Sequence, residues 1–153
     1  MHQEKHYIDS IYYQLELTAK YCKYLASTVF QKLKIQISLD EYATLDTLVA
    51  NGQMCQRDLA KLILKDRPST GRILNSLEGK GYITRVADTK NNRLIRKIIL
   101  TEDGKKVLDE ITLKIRGYLD KIQTSFSLKK VKDLKSSIAS FREILEKEVE
   151  INI

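Results

Sequence analysis

Proline and cysteine are scarce in this chain, with one proline, two cysteines and only six glycines among 153 residues. No Pro/Gly-rich linker, low-complexity stretch or internal repeat interrupts it. Cys22 and Cys55 are widely separated, so they form no disulfide framework, and reduced thiols are expected. No apolar run approaches the ~18 residues of a membrane span. The N-terminal Met1-His2-Gln3-Glu4-Lys5-His6 runs into an amphipathic segment without an apolar core and cleavage site, so a cytoplasmic protein with no membrane partner is expected. A nucleophile elbow, a phosphate-cradling glycine loop and paired metal-ligand spacings are also missing. No enzymatic activity, cofactor or metal is therefore expected. His2 and His6 stand four apart, but no further His or Cys lies near enough in sequence to complete a ligand set.

The chain does carry an uneven positive charge. The formal net charge is +7. Residues 53–106 hold thirteen basic against six acidic side chains, whereas residues 1–52 hold five against six and residues 107–153 nine against eight. A basic centre between balanced flanks suits one module facing a polyanion, held by a neutral scaffold. A solvated lysine-rich surface would give the same total, so the pattern around these charges has to decide.

Apolar periodicity predicts a long helix from about Tyr7 to Leu33, with Ile8, Leu15, Cys22 and Val29 recurring every seven residues beside Tyr12, Ala19, Ala26 and Leu33. Such a length exceeds what a small core covers, which predicts contact with a second subunit. Ser38 and Glu41 form a capping box opening a second helix, which Asn51-Gly52 ends. A short helix comes next over about Gln56–Leu64, burying Leu59, Leu62 and Ile63. Its successor begins near Pro68, with Arg67 as its cap, and ends at Gly79-Lys80-Gly81. Two short helices joined by so brief a turn are a helix-turn-helix.

The period then changes to two, over Tyr82–Val86 and Leu94–Leu100, with Asp88–Asn92 as the connecting loop. Thr101 caps a helix over about 102–124, and another runs over about 128–150. The fold class is thus mainly α with a small β-hairpin wing. It is a single domain over residues 1–153, in which 38–101 form a winged helix-turn-helix and 1–37 and 102–153 the dimerisation helices.

In a winged helix the second helix of the pair enters the major groove and the hairpin reaches an adjacent groove. At about 100° per residue, Thr70, Ile73, Leu74 and Leu77 share the core side, and Pro68, Arg72, Asn75 and Ser76 lie opposite, with Ser69 at the flank. Arg72 is placed to pair with guanine and Asn75 with adenine. Ser69 and Thr70, at the helix start, are candidate phosphate contacts, and Arg67, Pro68 and Ser76 are further candidate DNA-binding residues. Lys90, Arg93 and Arg96 crowd the hairpin with Asn91 and Asn92, and an arginine on a thin β-loop suits the narrow minor groove. Protection of a strand edge would also account for some of these charges.

Asp58-Leu59-Ala60, Leu77-Glu78-Gly79-Lys80-Gly81-Tyr82-Ile83, Arg93 and Leu100-Thr101-Glu102-Asp103-Gly104 together resemble the MarR family (multiple-antibiotic-resistance regulators). The resemblance covers essentially the whole chain. It implies an obligate homodimer, a palindromic double-stranded DNA operator and, in many relatives, a small phenolic or anionic effector. The family's wing normally carries Asp-x-Arg. This chain has Asn91-Asn92-Arg93, followed by one extra residue before Leu100-Thr101, which leaves both Arg93 and Arg96 as candidates for the minor groove.

The expected activity is that of a sequence-specific transcriptional regulator, with a ligand-responsive homodimeric repressor foremost. A winged-helix protein-interaction module and a thiol-based redox regulator are the alternatives. Tyr12, Tyr13, Tyr21 and Tyr24 on the first helix are candidate effector-pocket residues, and aromatic packing in a subunit interface competes with that reading. Cys55, at the start of a helix, is the candidate redox thiol. Cys22, on the apolar stripe, reads as a small buried hydrophobe.

Overall fold

A computed structural model describes residues 5–122 and 127–153, with Ile122 through its backbone only. His2 and positions 123–124 of the expected fifth helix lie outside the described residues. The chain divides between Leu39 and Asp40 into two compact units.

In the first unit, a single 3-10 turn (Tyr7–Asp9) precedes helix α1 (Ile11–Lys32). The expected helix start at Tyr7 is corrected to Ile11, because Ser10 is the cap. Its hydroxyl donates to the Tyr7 carbonyl at 2.6 Å and accepts the Tyr13 N–H at 3.3 Å, supplying a partner to one of the orphan donors of the first turn. Val29 and Phe30 are buried. Cys22 is exposed rather than buried in this single chain, since its stretch of the α1 stripe is left uncovered.

The second unit runs through helix α2 (Leu39–Asn51), strand β1 (Met54–Cys55), helices α3 (Gln56–Ile63) and α4 (Arg67–Gly79), strands β2 (Ile83–Lys90) and β3 (Arg93–Leu100), and helices α5 (Glu102–Ile122) and α6 (Leu128–Glu148). Gly52 closes α2 at φ +79°, the left-handed geometry that glycine adopts without penalty. The core of the lobe is Leu45, Leu48, Leu59, Leu74, Leu77, Ile83 and Ile98, each at most 4% exposed. Each such side chain contributes about 1.5–3 kcal/mol by leaving water. Leu62, expected inside, is 54% exposed. The buried residues of α3 are Leu59 and Ala60, Ile63 is half-buried beside them, and Leu62 is turned to solvent.

Asp66, not Arg67, caps α4. Its carboxylate accepts the Ser69 N–H at 2.7 Å, a bond that an arginine, having only donors, cannot make. Pro68 then falls in the first turn, where its missing N–H costs no bond. Strand β1 has no counterpart in the sequence-based expectation. It adds a third, edge strand in the order β1-β3-β2, pairing Met54 with Ile98 and Cys55 with Lys97.

The hairpin extends further than its alternation suggests. β2 continues through Ala87, Asp88, Thr89 and Lys90, and Lys90 pairs with Arg93 around a two-residue turn. Asn91 and Asn92 both have positive φ, 51° and 59°, the backbone of a type I′ turn whose twist matches its strands. Asparagine tolerates that geometry best among residues with a side chain. The polar run expected to be a loop is therefore mostly strand.

Thr101 links the wing to α5. Its hydroxyl donates to the Gly81 carbonyl at 2.7 Å and accepts the Gly104 N–H at 3.1 Å. Tyr42 and Thr112 share a hydroxyl–hydroxyl bond of 3.0 Å between α2 and α5. α6 has no buried residue. Its apolar stripe includes Leu128 at 85% and Leu134 at 51% exposure. No helix among the described residues is long and apolar enough to cross a membrane.

Gly104 is buried, and a Cβ there would collide with the Tyr82 carbonyl oxygen and the Leu100 side chain. The carbonyl belongs to the backbone, so it cannot swing aside. Gly104→Ala is expected to destabilise the lobe by about 2 kcal/mol or more, measured as a lowered urea midpoint. A midpoint equal to wild type would show that α5 is not seated on the wing base.

Candidate nucleic-acid interface

The exposed side of α4 begins with Arg67 and Pro68, both exposed in its first turn. Asp66 organises the surface of that turn and the next. Besides capping the helix it accepts the Ser69 hydroxyl at 3.0 Å, and the Ser69 Oγ accepts Arg72 Nη2 at 2.9 Å. The Ser69 N–H and hydroxyl hold the Asp66 carboxyl below the usual carboxylate range, with a smaller contribution from the Arg72 charge. Thr70 departs from its expected role. It is fully buried and its hydroxyl donates to the Asp66 carbonyl at 2.9 Å, so it is a core residue and not a phosphate donor. A threonine in a helix readily returns its hydroxyl to the carbonyl four residues back, and the apolar side of α4 carries it inward.

One turn on, Asn75 and Ser76 are engaged from two directions. Arg85 of β2 donates through Nη2 to Asn75 Oδ1 at 2.6 Å and to Glu78 Oε1 at 3.0 Å, and through Nε to Glu78 Oε2 at 3.1 Å. This fork keeps Glu78 below its ordinary pKa. Ser76 donates its hydroxyl to Glu41 of α2 at 2.5 Å, and Lys80 bonds both oxygens of the same carboxylate at 2.8 and 2.9 Å. Glu41 is only 5% exposed.

On the wing, Lys90 does not project freely. Its ammonium meets Asp58 of α3 at 2.6 Å, which lowers the Asp58 pKa. The nearby Cys55 thiol lowers it further. Lys97 pairs with Asp88 across the hairpin at 3.0 Å and lowers its pKa in turn. Arg93 and Arg96 are exposed, and neither has an acidic partner within ion-pair distance among the described residues. A groove between α3 and the wing is lined by Arg57, Lys61, Lys90 and Arg93, with Asp58 and Cys55 beside them.

The structure thus leaves Arg67, Pro68 and Arg72 exposed on α4, with Ser69 half-buried among them, and places Arg93 and Arg96 on the wing. It withdraws Thr70 into the core and commits Lys90 to Asp58. Asp66 and Arg85, which organise this surface, are not singled out by sequence reasoning, and Asp58 enters there only as part of the Asp58-Leu59-Ala60 motif, without a partner. The Asp66-x-x-Ser69 spacing is the one available signal, since a carboxylate three residues before an N–H donor is a cap.

The tyrosines of α1 occupy different settings. Tyr13 is half-buried against Tyr7, edge to face at 5.6 Å between ring centroids. Tyr12, Tyr21 and Tyr24 are 57%, 69% and 74% exposed. Tyr24 lines a pocket with Lys20, Lys23 and Ser27, in which the other three take no part.

Residues 37–107 match the model of the MarR family, a segment that contains α2, the helix-turn-helix, the wing and the first turns of α5. That segment belongs to the MarR family. The motif residues that carry the resemblance, from Asp58-Leu59-Ala60 through Gly104, lie wholly within it. The uncharacterised HTH-type transcriptional regulator YybA of Bacillus subtilis is 33% identical over 73 residues, 48% of each chain. The match spans about half the length of that curated relative. Among solved structures, NadR in complex with 4-hydroxyphenylacetate superposes with a TM-score of 0.71 at 25% identity, over 91% of this chain and 95% of NadR. MepR of Staphylococcus aureus, solved as a DNA complex, superposes with a TM-score of 0.70 at 20% identity, over 89% of this chain and 98% of MepR. The latter likeness establishes the shared fold. The mainly helical architecture with a small β wing is that of MarR winged helices.

Asp58, Asp66, Glu78 and Asp88 all sit in this MarR lobe with depressed pKa values. A carboxylate whose folded pKa lies below its unfolded value stabilises fully above the ordinary range, near pH 4, and loses that contribution as pH falls through the folded value. The urea midpoint is therefore expected to drop over the window from about pH 5 downward, with a shallower drop in Asp58→Asn. A midpoint constant through that window would contradict these assignments.

Proposed function

We propose that the protein is a non-enzymatic transcriptional regulator that binds double-stranded DNA as a homodimer on a palindromic operator. In this reading α4 lies in the major groove and the wing in the adjacent minor groove. The observation that carries it is the division of labour among basic side chains. Lys80, Arg85, Lys90 and Lys97 each have an acidic partner within the lobe. Arg72, on the open side of α4, and Arg93 and Arg96, on the wing, have no ion-pair partner among the described residues. Arginines without a direct ion pair on a helix-turn-helix and its wing are the groups a duplex would neutralise.

The MarR assignment of residues 37–107 and the likeness to MepR, solved bound to DNA, support the same reading. The dimer is supported by the apolar stripe of α6, which buries none of its residues fully and leaves Leu128 and Leu134 exposed. Two copies of α4 would face successive major grooves about 34 Å apart. Response to a small effector is supported by the likeness to NadR with its bound 4-hydroxyphenylacetate, and action as a repressor is the mode we propose with it.

Gel shifts against the intergenic DNA beside the protein's own gene test this directly. Sequence-indifferent binding at physiological salt would instead favour a protein-interaction module. Arg72→Ala is expected to relax preference at one symmetric operator position by about 1–3 kcal/mol, and an unchanged selected sequence would remove Arg72 from the interface. Arg93→Ala is expected to weaken binding to all sequences and to reduce the slope of log K against log salt by about one. Superimposable salt slopes would place Arg93 off the DNA and point to Arg96.

A further inference from the structure

Asn75 and its partner Arg85 carry an inference that rests on the groove-binding reading above and goes beyond it. A guanidinium has donors only. The Asn75 amide atom that faces Arg85 Nη2 at 2.6 Å is therefore the carbonyl oxygen, Oδ1. Glu78 holds the guanidinium in place with two further bonds, and the Arg85 side chain is only 14% exposed. The amide of Asn75 is thus locked in one of its two orientations. Its NH₂ group has no acceptor among the described residues, and the residue is exposed one turn beyond Arg72.

An unconstrained asparagine presents an acceptor and a donor side by side, which matches the N6 amino group and N7 of adenine. Asn75 is not in that state. With Oδ1 turned toward Arg85 it presents N–H donors alone, and an adenine amino group would have to share Oδ1 with the guanidinium already bonded there. Guanine offers N7 and O6, two acceptors on the same major-groove edge. We propose that Arg85 is a positioning residue that makes Asn75 donor-only, so that Asn75 selects guanine over adenine at one symmetric position of each half-site. Arg72, also a donor, then addresses a second acceptor-bearing base.

Binding-site selection from random duplexes, with the full-length protein, tests this. Wild type is expected to enrich a guanine that Asn75→Ala no longer selects. Asn75→Asp keeps an acceptor for Arg85 but has no donors, and should lose on the order of fivefold in affinity for the guanine site. Replacing that guanine by 7-deazaguanine should cost wild type about fivefold and leave Asn75→Ala unaffected. Arg85→Met releases the amide and is expected to switch the preference toward adenine. A merely structural role for Arg85 would lower affinity evenly and keep guanine, which would overturn the proposal.

An Asn75-dependent base other than guanine in wild type, or a selection unchanged by Asn75→Ala, would also overturn it. Should Arg85→Met fail to fold by circular dichroism, the 7-deazaguanine and Asn75 measurements decide alone. A wild type that enriches no sequence overturns the DNA reading and this proposal together. An enriched operator without the Asn75-dependent guanine overturns only the proposal.

Discussion

The Glu41 carboxylate is the constraint on which the rest of the lobe turns. It sits in the first turn of α2, nearly excluded from water, and is gripped by Ser76 and Lys80 from the far end of α4. A buried carboxylate is costly unless its lone pairs are met, so this group tolerates few arrangements of its partners. Meeting it fixes the rotation of α4 about its own axis. That rotation sends Thr70, Leu74 and Leu77 inward and leaves Arg72 and Asn75 on the open side. Such a pair is weak evidence for added stability. Its value here is in holding one register of the helix.

A second layer of ion pairs carries that definition into the wing. Arg85 joins β2 to the third turn of α4 through Glu78 and Asn75, and Lys90 joins the hairpin end to α3 through Asp58. A two-stranded ribbon is marginal by itself. These contacts, with the edge strand β1 and the seating of α5 against Tyr82, hold it against the body of the lobe. The exposed pairs among them contribute little energy singly. Their geometric effect is larger, because each fixes where a neighbouring arginine stands.

Much of this fold is legible in the sequence. The order of elements, the helix-turn-helix over residues 56–79, the change of period at Tyr82 and the Thr101 cap all come from local rules, since apolar spacing and capping chemistry act over a few residues. The places where sequence and structure differ share one cause. Asp88 to Lys90 reads as loop because polar residues dominate, yet strand pairing with Arg93 to Ile95 extends the hairpin to its asparagine turn. Strand β1 is two residues long and exists only because β3 lies beside it. By its position in the sequence Thr70 suits both the core side and the phosphate donors, and only burial separates those roles.

The sequence alone determined the class of fold, the location of its basic surplus and the side of α4 that carries Arg72, because these depend on composition and on the helical repeat. Only the tertiary structure decided which charges remain available outward. Lys90 and Arg85 are as basic in the sequence as Arg93, but Asp58, thirty-two residues before Lys90, and Glu78, on the helix that precedes the Arg85 strand, are brought against them only by the fold. Hydrogen-bond polarity was decided in the same way. An asparagine is a donor and an acceptor until a neighbour claims one end, and for Asn75 that neighbour arrives on a different element of the fold.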